Sequence, residues 1–362
     1  MTAADEIQAG GVPASAIRVA AIDCGTNSLR LLVADVDPVA GRLTDVDRRM
    51  EIVRLGQGVD ATGRLAPAAL DRTLRVLADY AGIIAGRSAA AVRMVATSAT
   101  RDAANSAEFI QGVTRVLGVA PEVLSGDEEA RLSFTGATAE FAVAGGGVAG
   151  SGVAGGGVAG GPQPPYLVMD IGGGSTEFVL GGGLAGGLAS GLGGGLGGGL
   201  GGGPVSALSV DIGCVRLTER YLHADPPTAA EIAAAANDIG AALDRVGGAL
   251  PVRAARTLVG LAGSVTTVAA LALGLAQYDA ARIHHARVSA RQVAEQARRL
   301  LGQTREQRAS RPVMHPGRVD VIGGGAMILD EVMRRFGFAE VLVSEHDILD
   351  GIAWSLAGGG PR

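Results

Sequence analysis

Two stretches of this chain repeat one pattern, and that repeat restricts the fold more than any other feature. Residues 17–36 read IRVAAIDCGTNSLRLLVADV, and residues 166–180 read YLVMDIGGGSTEFVL. With Asp23 placed on Asp170, Gly25 falls on Gly172 and Ser28 on Ser175, 147 residues apart. Each stretch is an apolar strand, a tight Asp-x-Gly turn and a second apolar strand. One such turn carries little information, because Asp and Gly dominate turns for steric reasons. Two in register predict two similarly built α/β domains facing each other.

The segments between them alternate strand and helix. Pro67 to Gly86 starts on proline and places Leu70, Leu74, Leu77, Ala81 and Ile84 near helical spacing. Val92 to Ala96 reads as a strand. Ser125 with Glu128 is a capping-box pattern opening a helix from Gly126 to about Phe141, and Thr228 with Glu231 and Ser289 with Gln292 open two more. A domain boundary is expected near residue 138, with the C-terminal helix returning to the first domain.

Glycine supplies 58 of the 362 residues, and much of it lies in two tracts. Residues 144–161 repeat Gly-Val-Ala-Gly units. Residues 181–203 hold 15 glycines in 23 positions, with leucine at every fourth. The second tract is uncharged and long enough to span a bilayer. Glycine, however, costs about 1 kcal/mol per helical position relative to alanine, so the tract opposes a helix. Both tracts read as flexible loop expansions, one between a helix and a strand and one at a hairpin tip, where insertion is cheap.

Charge then narrows the function. There are 31 basic and 36 acidic residues, a net charge of −5, and every basic residue is arginine. A chain without lysine has no Schiff-base lysine, no Walker A lysine and no lysine-rich nucleic-acid patch. An acidic chain without a basic tail is a poor generic ligand for DNA or membrane surfaces. Cys24 and Cys214 are too few for a disulfide framework and suit a reducing compartment. The acidic N-terminus lacks the apolar core of a signal peptide, so a cytoplasmic location is expected.

The two turns carry the chemistry. Asp23 to Ser28 sets the backbone N–H groups of a glycine turn beside Asn27 and Ser28, a concavity suited to phosphate oxygens. Asp170 to Glu177 repeats this with Gly172, Gly173, Gly174 and Ser175, and strand alternation puts Ser175 and Glu177 on one face. Two further glycine segments lead into helices. Val259 to Thr267 could approach an anion, whereas Val321 to Met327 reads as close helix packing. The five histidines show no metal spacing, and His284 and His285 would face opposite ways on a strand. Arg216 and Arg220 fit either a polyanion path or a solvated helix face.

Together these segments resemble the Ppx/GppA phosphatase family, within the actin/Hsp70/sugar-kinase superfamily of paired ribonuclease H-like domains. The resemblance rests on DCGTNSLRLLVADV, MVATSATRDAANSAEF, EVLSGDEEARLSF, DIGGGSTEFVL, DIGCVRLTERYL, GLAGSVTT and SEHDILDGIAW, in that order. It covers nearly the whole chain outside the tracts and is nearest to the short, two-domain actinobacterial type. It implies an interdomain cleft and hydrolysis of a terminal phosphoanhydride, with Glu122 as general base on the attacking water. Asp170 and Glu177, with Asp23 as a further member, would hold Mg2+. Arg101 would contact phosphate, as would Asn27, Ser28, Gly172, Gly173, Gly174 and Ser175. Asp127, Glu128 and Glu129, in a first helical turn, are explained by the cap and the helix dipole alone.

The resemblance implies an exopolyphosphatase acting on linear polyphosphate, with guanosine pentaphosphate hydrolysis, and hence the stringent response, as the alternative. A homodimer, no specific nucleic acid and no membrane partner are expected. A non-catalytic polyphosphate or nucleotide sensor would lack the carboxylates that a hydrolase needs. A superfamily kinase or chaperone would need inserted domains that this chain has no room for.

Overall fold

The computed structural model describes residues 15–143, 161–182 and 205–358. Its strands form two sheets. The first joins β1 (Ile17–Cys24), β2 (Ser28–Asp37), β3 (Arg42–Ile52), β4 (Ala91–Ala96) and β5 (Glu122–Val123) in the order β3-β2-β1-β4-β5. The second joins β6 (Tyr166–Ile171), β7 (Thr176–Gly181), β8 (Ser206–Val210), β9 (Thr257–Leu261), β10 (Arg287–Ser289) and β11 (Glu340–Val343) in the order β10-β11-β9-β6-β7-β8.

Each sheet is a three-strand antiparallel meander followed by two parallel strands. β1–β2–β3 corresponds to β6–β7–β8, and β4–β5 to β9–β11. The repeat at Asp23 and Asp170 is therefore the first hairpin of two equivalent sheets, and β10 is an added edge.

The helices in the first half are α1 (Val59–Thr62), α2 (Pro67–Gly86), α3 (Ser98–Arg101), α4 (Ser106–Leu117) and α5 (Gly126–Val143). The second half adds α6 (Cys214–Tyr221), α7 (Ala229–Ala249), α8 (Ala262–Ala272), α9 (Ala280–Ile283), α10 (Ala290–Leu301), α11 (Arg305–Ala309), α12 (Ile322–Phe336) and α13 (Ile348–Ala357). The expected helix over 67–86 is observed with those bounds, and the capping boxes at Thr228 and Ser289 both form. Ser125 and Glu128 also exchange backbone bonds as a capping box requires.

Each sheet is covered on both faces. Leu70, Leu77 and Tyr80 of α2 and Phe109 and Val113 of α4 pack on one face of the first sheet, and Ile348, Leu349 and Ile352 of α13 cover the other. The second sheet buries its main core beneath α7, α8, α10 and α12, and its opposite face receives Ala130, Ala137 and Phe141 of α5. Position 138 lies inside α5, an unbroken helix. The C-terminal α13 returns to the first sheet, and α5 and α13 cross at the junction of the halves.

Gly323, Gly324 and Gly325 serve close helix packing, because a Cβ on Gly325 would lie 2.2 Å from Ser264 Oγ. Both glycine tracts fall almost wholly outside the described residues. Their flanks are informative nonetheless, since Leu180 and Ser206 are register partners on antiparallel strands. Replacing residues 183–204 with an Asn-Gly turn is expected to leave the melting temperature and the activity of the cleft unchanged. Insoluble or inactive protein would show that the tract packs or binds.

Candidate active site

The two Asp-x-Gly turns close identically, with Gly25 N donating to Ser28 O and Gly172 N to Ser175 O, each at 3.0 Å. They meet across one small cleft of about 90 Å³, where Asp23, Asn27 and Ser28 face Asp170, Gly172, Gly173 and Ser175. The glycines are needed for this approach. A Cβ on Gly173 would stand 2.8 Å from Thr26 Cβ, and one on Gly213 only 2.3 Å from Gly173 O. Gly174 is turned away toward Thr26 and Ser98 and joins the packed seam rather than the cleft wall.

Glu177 is fully buried beside Asp170, its register partner on the neighbouring strand. A serine from a different element holds each of the two carboxylates. Ser133 Oγ donates to Asp170 Oδ2 at 2.8 Å, and Ser209 Oγ donates to Glu177 Oε1 at 2.8 Å. Asp23 accepts from Arg30 Nη2 at 2.7 Å, and Arg30 Nη1 reaches Asp347, the N-cap of α13.

Glu122 does not enter this cleft. It lies on the edge strand β5 with its side chain 53% exposed, and Arg93 Nη2 donates to its carboxylate at 2.7 Å. The acid of this segment that lines the cleft, with Asp23 and Asp170, is Glu129, one turn into α5 and 8% exposed. Arg101 reaches the cleft only through Glu129, with Nη1 3.4 Å from its Oε2 and 2.9 Å from Leu124 O. The sequence separates Glu129 from the cap residue, but only the structure shows which face of the helix is buried. Only Glu128 sits at the capping position, whereas Glu129, Ser133 and Ala137 share one helical stripe, the buried one.

Sequence reasoning also missed Arg30 and Arg318, which line the cleft. Arg318 packs over Gly263, where a Cβ would lie 2.2 Å from its Nη2, and it donates to Thr267 Oγ1 at 3.2 Å. Among the described residues no carboxylate pairs with it, and partial burial lowers its pKa, so a half-buried cation lines the cleft. Ala262, which lines the cleft at the start of α8, holds a left-handed φ of 66°. The Val259 to Thr267 segment lines the cleft through Ala262, Gly263 and Ser264.

Other expectations fare differently. Arg216 bonds Asp102 and Asp60, and Arg220 bonds Asp60, so both tie the second half to the first rather than line a path. His284 ends α9 and His285 has φ 62°, so they form no strand, and their rings stack 3.8 Å apart. Cys24 and Cys214 are buried and free. No described helix is long and apolar enough to cross a membrane.

The acids crowd one another. Burial pushes Asp170 up to about 6, with Asp347 adding and Arg30 opposing. Burial and then Asp170 push Glu177 up to about 7. Glu129 is lifted well above its ordinary range by burial, then by Glu177 and Asp23, against Arg101.

Asp170 and Glu177 thus bind protons in the folded state that the unfolded chain has already released. Stability from them is present at low pH and is lost as pH rises between about 4 and 7. In chelator, the melting temperature should fall across that window, and Asp170→Asn should flatten the fall. An unchanged profile in the variant would remove Asp170 as a cause.

The model of the Ppx/GppA phosphatase family matches residues 32–358. The chain is 48% identical over 352 residues to exopolyphosphatase 2 of Mycobacterium tuberculosis, covering 94% of this chain and 99% of that one. Among solved structures it resembles an exopolyphosphatase-like protein at 38% identity and TM-score 0.80, covering 94% of this chain and 99% of that one. It also resembles an Aquifex aeolicus Ppx/GppA family member at 27% identity and TM-score 0.71, covering 96% and 100%.

Proposed function

The chain belongs to the Ppx/GppA phosphatase family, and on that premise we propose that it is an exopolyphosphatase that removes orthophosphate from the end of linear polyphosphate. One observation carries the reading. Two glycine turns, two half-buried arginines and a buried glutamate converge on one small cleft. The name of the Mycobacterium relative supports the substrate class.

The backbone N–H group of Gly173, with Asn27, Ser28 and Ser175, binds the terminal phosphate oxygens, while Gly172, whose N–H closes the turn, lets the backbone approach them. Arg318 and Arg30 answer the charge of the next phosphates. Glu129 accepts the proton of the attacking water as its oxygen bonds to the terminal phosphorus. The bond from that phosphorus to the bridging oxygen breaks, leaving orthophosphate and a chain one unit shorter.

The donor set also fits a magnesium ion. The available ligands are carboxylate oxygens, and Asp23 Oδ1 is buried without a hydrogen-bond partner. Among the described residues no three His, Cys, Asp or Glu side chains converge into a ready-made cage. That suits an ion which keeps its waters and binds through one or two carboxylates and substrate phosphates. Asp170 and Asp23, which line the cleft, would hold the ion, with Glu177 buried behind Asp170, and the ion would supply charge neutralisation at the phosphates.

A second reading, hydrolysis of guanosine pentaphosphate, draws on an adjoining cavity of about 670 Å³. It opens past Arg30 and Arg318 and contains Met50, Tyr278 and Met314, apolar space that an inorganic chain does not need. Phosphate release from polyphosphate and from guanosine pentaphosphate, measured side by side, decides between them, and the first is expected to be the faster. Release should stop with chelator and return with magnesium, and Asp170→Asn should raise the magnesium needed for half-maximal rate. An unaltered magnesium requirement would take Asp170 out of the site.

A further inference from the structure

A second concave surface lies far from the cleft, where the last turns of α7 and α12 approach the Val252–Ala254 turn. It encloses about 1210 Å³ and is bordered by Arg253, Arg256, Arg334 and Arg335 against a single acid, Asp244. Arg335 pairs with Asp244, and Arg334 pairs with Glu331. Arg253 and Arg256 are exposed, and among the described residues neither makes a side-chain hydrogen bond or ion pair.

Arginines in a last helical turn answer the helix dipole, which accounts for Arg334 and Arg335. It does not account for Arg253 and Arg256, which follow α7 and converge on the same hollow. Asp244 and Glu331 answer Arg335 and Arg334, so Arg253 and Arg256, unpaired among the described residues, leave a local cationic site in a chain of net charge −5. Planar donor forks of this kind recognise phosphate oxygens in pairs.

The groove stands in a definite relation to the cleft. Ile322, the first residue of α12, lines the cleft, and Phe336, its last, lines the groove. At 1.5 Å per residue the two sites lie about 21 Å apart along the helix. Only a long ligand can occupy both.

We propose that this groove is a second, non-catalytic polyphosphate site, which grips a distant stretch of the chain whose end is being hydrolysed. The proposal rests on the exopolyphosphatase reading above. Holding one chain at two points makes the second contact intramolecular and raises apparent affinity without any new catalytic group. The gain requires length: long-chain polyphosphate receives it, and tripolyphosphate, which cannot span the sites, does not.

The test is steady-state kinetics of the full chain on both substrates, with wild type, Arg253→Glu/Arg256→Glu and Arg253→Lys/Arg256→Lys. The charge-reversed variant should raise KM for long-chain polyphosphate about tenfold or more, leaving kcat and all tripolyphosphate kinetics unchanged. The lysine variant should recover most of the loss, and added salt should shrink the difference between wild type and the charge-reversed variant. Equal KM shifts on both substrates, or none on either, would overturn the groove.

If wild type released no phosphate from either substrate, the enzymatic reading would fall, and binding of long-chain polyphosphate would judge the groove alone. Affinity lost in the charge-reversed variant upholds it, and affinity retained overturns it. Tighter binding of a single-stranded oligonucleotide than of polyphosphate, lost in the same variant, would overturn it in favour of a nucleic-acid surface.

Discussion

Turnover of Glu129→Gln on polyphosphate should fall about 10²–10⁴-fold, the usual cost of losing a general base. The substitution keeps the shape of the side chain and removes the proton acceptor. Binding should persist, because the arginines and the backbone donors of the glycine turns remain. A base works only when ionised, and Glu129 titrates above the ordinary carboxylate range. The rate of the parent enzyme should therefore climb with pH through that titration, and the variant should lose this limb of the profile. Glu122→Gln, which only frees Arg93 at an exposed edge, should turn over like the parent. Full activity in Glu129→Gln with a dead Glu122→Gln would return the base to β5.

The largest effect on stability is expected at the crossing of α5 and α13, which fixes where Glu129 and Ser133 stand. The helices touch through glycine. A Cβ on Gly136 would lie 1.8 Å from Asp347 O, and one on Gly351 would lie 2.0 Å from Leu132 O. The obstacles are backbone atoms of packed helices, so no rotamer change relieves them. Gly351→Val should cost about 3 kcal/mol or more, a large share of the roughly 5–15 kcal/mol that holds a domain. Gly82→Ala, inside α2 with nothing near its added methyl, should instead gain about 0.5–1 kcal/mol. Denaturant unfolding of both variants checks the pair. A loss below about 1 kcal/mol in Gly351→Val would mean that the helices separate easily.

A damaged crossing should also weaken catalysis. Asp347 caps α13 and bonds Arg30, which in turn holds Asp23. Activity lost in Gly351→Val beyond what its unfolded fraction explains would trace that connection.

The repeat around Asp23 and Asp170 was legible because hairpin chemistry is local: strand, Asp-x-Gly turn and strand are neighbours in the chain. The same locality made the capping boxes at Ser125, Thr228 and Ser289 readable, and the helix over 67–86. From these alone followed two sheets of one design and a cleft lined by Asp23, Asn27, Ser28, Asp170, Gly172, Gly173 and Ser175. The absence of lysine excluded whole classes of site without any structure.

What the chain order could not supply was which acid near residue 125 faces inward. Glu122 and Glu129 stand seven residues apart, and both precede or open an element. One lies on an edge strand with no further neighbour, whereas the other lies on the helix face that the second sheet buries. That difference arises only when α5 packs between β6–β7 and α13, a contact between segments more than 200 residues apart in sequence. Arg318 entered the cleft for the same reason, since Gly263 leaves room for its guanidinium only once α8 and the Pro316–Arg318 turn are assembled. Turns and caps are decided by bonds along the chain. Burial, and with it the protonation of every acid in this cleft, is decided by what lies across from them.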